Sequence, residues 1–542
     1  MSRSDSAVRM RGTTSRTLAM AFSTMIVHYA SAAQAQARPA EDEMFGGVGE
    51  SQTVTATATA TVSTTATDTA TTTGTDTGTG TGTELDSRDS LNLSDPKAGT
   101  RFSAEVAPED PLKIGGQFYW RVMSSGKQGQ YPQNWSLNAP ALLDVFMDAR
   151  PNERVRAFVL GRMSYDPTLP PNGTTTTGTL SSGSAQGSDS LNSLYGQQTR
   201  GPSVALDQLW LRFDVLHTVF VTAGKQHVRW GTARFWAPTD YMHQQARNPL
   251  LPFDPRTGTT MLKLHVPWEA RGWNFYAYAL PEGAKATSQT GDIAGAARAE
   301  IVLGNFEAGA GVFGRRNSKA KFAGDVSFGL WDLDFYGEAA LRNAGEVDFV
   351  HFQDDSAPTT CTPTTSVTPA VNQLVTDYYH STRGSGWKPQ VTGGVSYTRQ
   401  YADKDTFTLG TEYFYNGLGY SSAKDYLGLL LPRDQPLSNP ATFFYLGRHY
   451  LGVFATAPAP YSWDNTTFTL SNLTNLSDGS GMVRLDYSLT VLTHLRFEAY
   501  GAVHYGQQNG EFRMGIDVCT TAVSYHSSPS LFDVGVGLRV AL

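Results

Sequence analysis

From about Lys113 to the C-terminus, the chain is a succession of runs of about 10 residues in which apolar and polar side chains alternate. A strand sends successive side chains to opposite faces, so each run has one apolar and one polar face. In Arg154–Met163, Arg154, Arg156 and Arg162 oppose Val155, Ala157 and Val159. In Met482–Leu489, Arg484, Asp486 and Ser488 oppose Val483, Leu485, Tyr487 and Leu489. In Phe532–Leu542, Phe532, Val534, Val536, Leu538, Val540 and Leu542 share one face, and Asp533 and Arg539 the other. A wall between lipid and water imposes this pattern on every strand. Closing the sheet removes its edges, so that no backbone group is left unpaired in lipid. The expected fold is therefore all-β, a transmembrane antiparallel barrel. A soluble β-sandwich also alternates, but its charged faces would be surface and its apolar faces core.

The N-terminus reads as an export signal. Arg3, Arg9, Arg11 and Arg16 precede a short apolar stretch, Leu18–Tyr29, and Ala33-Gln34-Ala35 offers a cleavage site, giving a signal peptide over 1–35. Residues 36–112 are expected to be a disordered leader. Its Thr/Ala/Gly-rich part, Ser51–Thr83, has no large apolar residue to offset its ordering entropy. No later segment has about 18 continuous apolar residues, so a membrane helix is not expected. Charged residues are 17% of the chain, below the roughly 25% usual for soluble domains, and the formal net charge of −7 argues against nucleic acid. Cys361 and Cys519 are the only cysteines; they either pair or have no role.

Connections alternate between short and long. Short ones fall at Arg150–Glu153, Leu216–Thr218, Pro267–Arg271, Gly304–Asn305, Trp331–Asp332, Tyr401–Lys404 and Leu492–His494. Long ones fall at Asp166–Pro202, Gly231–Thr257, Asn343–Trp387, Leu418–Pro440 and Gln507–Pro529. Short periplasmic turns and long external loops are expected of such barrels. Placing strands between them gives about 18 over 113–542. The least regular are 443–456 and 466–474; without them the count is about 16, and either size leaves an aqueous or plugged lumen. The strand at 218–230 is expected to turn Lys225, His227 and Arg229 into water, and Val228 and Trp230 toward lipid. Trp120, Trp210, Trp230, Tyr413, Tyr415 and Tyr505 are expected in interfacial girdles.

The chain resembles Gram-negative outer-membrane porin-like barrels. Its terminal DVGVGLRVAL is similar to the strand by which such barrels are inserted, although many end in Phe and this one in Leu542. The hairpin DQLWLRF (207–213) followed by VTAGKQHVRWG resembles one found in phosphate-selective and polysaccharide-export porins, where a strand ends in Gly-Lys/Arg-Gln and leads to Trp-Gly. The resemblance implies an outer-membrane location, outer-membrane lipid and the barrel-assembly machinery as partners, and a possible homo-oligomer.

Candidate lumen residues follow from the facing pattern. Arg154, Arg156, Arg162, Arg212, Lys225, His227, Arg229 and Lys263 form a basic wall, with Asp214 the main acid among them. Glu300, Glu307, Asp325, Asp334 and Glu338 form an acidic wall. Charges on a pore wall set selectivity, unless they only pair with one another. The loop Gly231–Thr257 is a candidate constriction carrying Arg234, Asp240, His243 and Arg247, or else it lies outside the barrel. No hydrolase, phosphate-loop or metal-ligand motif occurs; His449 and His504 have no spacing that makes a catalytic site. The leading expectation is a channel for passive diffusion of small polar or anionic solutes, with no enzyme activity, cofactor or metal. Its rivals are an exporter of an anionic polysaccharide, a plugged structural barrel and a barrel hydrolase.

Overall fold

The computed structural model describes residues 111–169, 201–243, 246–251, 254, 256–281, 293–352, 379–401, 405–430, 442–519 and 524–541. The export signal, nearly all of the leader and Cys361 lie outside these residues, and with Cys361 the question of a cysteine pair.

Eighteen long strands form the wall: β1 Leu112–Lys127, β2 Ala141–Asn152, β3 Val155–Tyr165, β4 Ser203–Val215, β5 Val219–Gln226, β6 Thr259–Trp268, β7 Trp273–Leu280, β8 Ala294–Leu303 and β9 Phe306–Gly314. They continue as β10 Lys321–Leu330, β11 Leu333–Asn343, β12 Trp387–Gln400, β13 Thr406–Asn416, β14 His449–Pro458, β15 Thr466–Asn475, β16 Ser480–Leu492, β17 Leu495–Gly506 and β18 Ser530–Ala541. Each pairs antiparallel with its chain neighbours, and a short strand, Ser136–Asn138, adds to β1. Strand β18 returns to β1, with Gln117 opposite Ala541 and Lys127 opposite Ser530, and the barrel is closed.

The alternation is realised in the wall. Val534 and Val536 are exposed on the outside, while Asp533 between their strand neighbours is buried inward. On β4, Leu209 and Leu211 are exposed and Gln208 and Trp210 are buried. Turns such as Gly304–Asn305 and Trp331–Asp332 close one end; Gly304 has φ of 66°, which suits a tight hairpin. At the other end are the long connections, which carry hairpins Asp348–Phe352/Tyr379–Arg383 and Ile516–Cys519/Ser524–Ser527 and a short helix, Tyr426–Leu430.

Two expected strands are shorter or shifted. The strand expected over 218–230 stops at Gln226, and the one expected over 443–456 runs His449–Pro458. Both differences have one cause. The segments freed from the ladder, 227–230 and 442–448, turn into the barrel and pack there. Val228 and Trp230, expected at lipid, are 6% and 1% exposed among Tyr241, Met261 and Tyr278. Trp210 is likewise buried, stacked on Phe158 at 5.5 Å, so neither tryptophan belongs to a girdle. Trp120 and Tyr413 do face outward and are exposed.

Candidate functional site: an inserted loop and a charged lumen

The connection between β5 and β6 crosses the interior and is bound to the wall by two carboxylates. Glu338, on β11, accepts the N–H groups of Thr232 (2.7 Å) and Ala233 (2.6 Å) and the Thr239 hydroxyl (2.7 Å). Glu412, on β13, accepts the N–H groups of Arg234 (2.8 Å), Phe235 (3.1 Å) and Trp236 (2.8 Å). The Tyr336 hydroxyl also donates to Glu412, at 3.0 Å. A run of backbone N–H groups aimed at one carboxylate is a charge-assisted clamp.

Apolar packing completes the attachment. Trp236 is fully buried, stacks on Phe414 at 5.7 Å and donates from Nε1 to the Phe444 carbonyl at 2.9 Å. Tyr241 donates to the Phe322 carbonyl (2.9 Å), and Arg342 to that of Pro238 (3.2 Å). The loop expected as a constriction thus lies inside the barrel.

Arg234, Asp240 and His243 are used within the loop or against the wall. The Arg234 guanidinium sits 3.6 Å over the Phe454 ring, and burial pushes its pKa down to about 10. Asp240 meets His243 at 3.1 Å and Arg256 at 3.0 Å. Burial works against its charge, but His243 and Arg256 outweigh this and hold the carboxyl well below the usual range. Arg247 is half-buried.

The expected basic wall is largely a set of ion pairs. Arg162 is 1% exposed between Asp144 (2.7 Å) and Asp207 (3.1 Å). Arg156 makes two hydrogen bonds to Asp148, at 2.8 and 2.7 Å. Asp144, Asp148 and Asp207, rather than Asp214, are therefore the main acids here, while Asp214 accepts from the His217 N–H in a short turn. Arg154 lies in the β2–β3 turn, 2.6 Å from His217, and is not on the wall. Lys225 pairs in register with Leu209, which is 51% exposed on the outer face, so its side chain takes the outer side. His227, beyond the strand end, turns inward to Asp207 at 2.9 Å. Arg229 donates to the Ala233 carbonyl within the loop. Arg212 and Lys263 do face inward, in register through Thr222.

On the opposite side, Glu300 bonds Arg298 at 2.9 Å, and Arg298 meets Asp325 at 2.7 Å. Glu307 and Asp334 lie on the inward face close to short turns. Glu338 is committed to the loop, as above.

A further charged cleft, of whose lining only Arg234 was a candidate in the sequence, lies between the loop and strands β15–β18 and β1. Arg121 and Arg484 flank the Tyr500 ring at 4.2 and 4.0 Å, and Arg234, Leu250, Asp486 and Glu498 complete its lining. Arg484 and Asp486 are in an alternating run read above; nothing in the sequence brings Arg234 to them. The histidines lie on different surfaces. His504 is buried between Asp533 (2.7 Å) and the Phe512 carbonyl (2.5 Å), and His449 bonds the outward Tyr413 at 2.6 Å. Among the described residues no group of three or more His, Cys, Asp or Glu is arranged to hold a metal.

The chain folds as a closed, eighteen-stranded transmembrane barrel. The decisive observations are its closure, its apolar outer face and its polar interior, which only a lipid–water boundary explains. No protein-family model matches the chain, and no curated protein matches it. Solved structures similar to it include OccAB1 of Acinetobacter baumannii, at 12% identity and a TM-score of 0.43, over 80% of this chain and 97% of that one. The outer membrane protein opdK from Pseudomonas aeruginosa gives 8% and 0.42, over 80% and 98%. Wzi of Escherichia coli, described as a carbohydrate-binding β-barrel involved in capsule assembly, gives 9% and 0.41, over 78% and 84%.

Proposed function

We propose that the protein is a channel for passive movement of small polar or anionic solutes, and that the eyelet is the cleft between the inserted loop and β15–β18 and β1. The observation that carries this reading is the meeting of Arg121, Arg234 and Arg484 in that cleft, with Tyr500 between two of the guanidiniums. Guanidiniums held over aromatic rings keep their charge while losing side-chain freedom, so they set a fixed positive field beside a passing anion although they are themselves buried. Asp486 binds Arg484 at 2.6 Å and, with Glu498, keeps the cleft mixed in sign. Such a field orients polar solutes without trapping them.

The test is the reversal potential of the refolded protein in a planar bilayer under a salt gradient. An anion preference is expected in the wild type and a clear fall in Arg121→Gln/Arg484→Gln. A folded, inserted barrel without conductance would defeat the reading. Tight binding of an anionic polysaccharide in calorimetry would shift it to an exporter.

A further inference from the structure

At the root of the inserted loop, two imidazoles meet. His227 Nδ1 lies 3.3 Å from His243 Nε2, with the rings tilted by 31°. Each ring's other nitrogen is occupied by a carboxylate: His227 Nε2 by Asp207 at 2.9 Å, and His243 Nδ1 by Asp240 at 3.1 Å. Those carboxylates are themselves held, Asp207 by Arg162 and the Gly258 N–H, and Asp240 by Arg256.

The tautomers follow from these bonds. A carboxylate accepts, so His227 donates from Nε2 and His243 from Nδ1. In two neutral rings the nitrogens that face each other then both carry lone pairs. Two acceptors 3.3 Å apart need a cation between them. A single shared proton is one choice, but a charge-assisted hydrogen bond would draw the nitrogens to about 2.7–2.9 Å. A metal ion fits better. At metal–nitrogen distances of about 2.05 Å, nitrogens 3.3 Å apart subtend about 107° at the ion, close to tetrahedral. Carboxylates behind the ligating histidines are the usual support of such sites, fixing tautomer and ring direction. The surroundings favour a cation. The carboxylates of Asp144, Asp207, Asp240 and Asp254 outnumber the guanidiniums of Arg162 and Arg256 beside them, and Arg247, near Asp254, does not close the gap.

We infer that His227 and His243 bind a late first-row divalent ion such as Zn²⁺ or Cu²⁺, with water filling its remaining positions. The ion ties the loop's first residue to its middle. His227 side-chain exposure of 19% leaves a way in.

Isothermal titration of the untagged, refolded protein with ZnCl₂ tests this, alongside His227→Gln, His243→Gln and His351→Gln, the last an exposed histidine away from the pair. Heat-modifiable gel migration checks folding of each. One zinc equivalent is expected in the wild type and in His351→Gln. Binding at least tenfold weaker is expected in each of the other two variants. Cu²⁺ should bind more tightly than Zn²⁺. Failure of the wild type to bind zinc overturns the inference, as does equal binding by folded His243→Gln. Should His227→Gln not fold, His243→Gln decides alone, because its partners lie within the loop.

Discussion

Glu412 on β13 accepts the backbone N–H of Trp236 at 2.8 Å across 176 positions of sequence. This contact belongs to a clamp of three consecutive N–H groups on one buried carboxylate. It fixes the loop's position within the lumen, and hence the width of any path beside it.

Removing that carboxylate should therefore widen the pore. Each hydrogen bond to a charged acceptor contributes roughly 1.5–3 kcal/mol, and Glu412→Ala deletes several at once. A several-fold rise in single-channel conductance with more current noise is expected. Glu412→Gln keeps one acceptor oxygen and should give a smaller rise. Unchanged conductance in Glu412→Ala would show that the aromatic packing around Trp236 holds the loop alone.

Arg162 offers a different kind of test, because it is structural. Its guanidinium, 1% exposed, bridges Asp144 and Asp207. Breaking a buried ion pair from one side costs about 3–5 kcal/mol, since the other charge is stranded. Arg162→Met should lower the unfolding temperature markedly. Arg156→Gln, whose buried partner Asp148 keeps Arg150 at 3.2 Å, should cost much less. Comparable thermal unfolding of both variants would contradict this ranking.

The strand pattern was legible because a two-solvent wall forces alternation on every strand. Eighteen strands were readable from the period and the turn lengths, and most bounds were within three residues. What failed was local. Lys225 and His227 were read as one strand face, yet the ladder ends between them at Gln226. Gly224, at φ 126°, lies where a Cβ would come within 2.1 Å of the Leu209 carbonyl oxygen, and the chain leaves the wall soon after. Val228 and Trp230 are as apolar as any lipid-facing pair, and composition alone does not tell a lipid contact from a plug packed inside. Asp144 and Asp148 share the inward face of β2, but pairing them with Arg162 and Arg156 needed the register. The clamp residue Glu412 had no local signal, because its partners are backbone groups far away in the chain.

Glu511, in the β17–β18 connection, gives a pH dependence. It is 3% exposed, accepts from the Tyr450 hydroxyl (2.6 Å) and Asn475 (2.9 Å), and lies near Asp478. Burial first, and then the Asp478 charge, raise its pKa to about 8 despite the Tyr450 hydrogen bond. With the folded value raised, the folded loop holds the proton longer than the unfolded one. The stabilisation is complete below the unfolded value of 4.5 and has gone once pH passes about 8. Hydrogen exchange in residues 507–515 should quicken as pH rises across that window, after correction for the intrinsic rate. Glu511→Gln should remove the dependence; a flat wild-type profile would refute it.

Gly231 tests the other clamp. Its φ is 99°, and a Cβ there would lie 2.2 Å from Glu338 Oε1. Gly231→Ala should thus do two things at once: strain the backbone and push the Glu338 carboxylate off the N–H groups of Thr232 and Ala233. Glu338→Ala removes the same hydrogen bonds without the strain. If both act by freeing the loop's first residues, their effects on conductance overlap. The double variant should then conduct about as well as the stronger single one, because contacts in one network do not add. Full additivity in single-channel recordings would mean that Gly231 acts elsewhere than through Glu338.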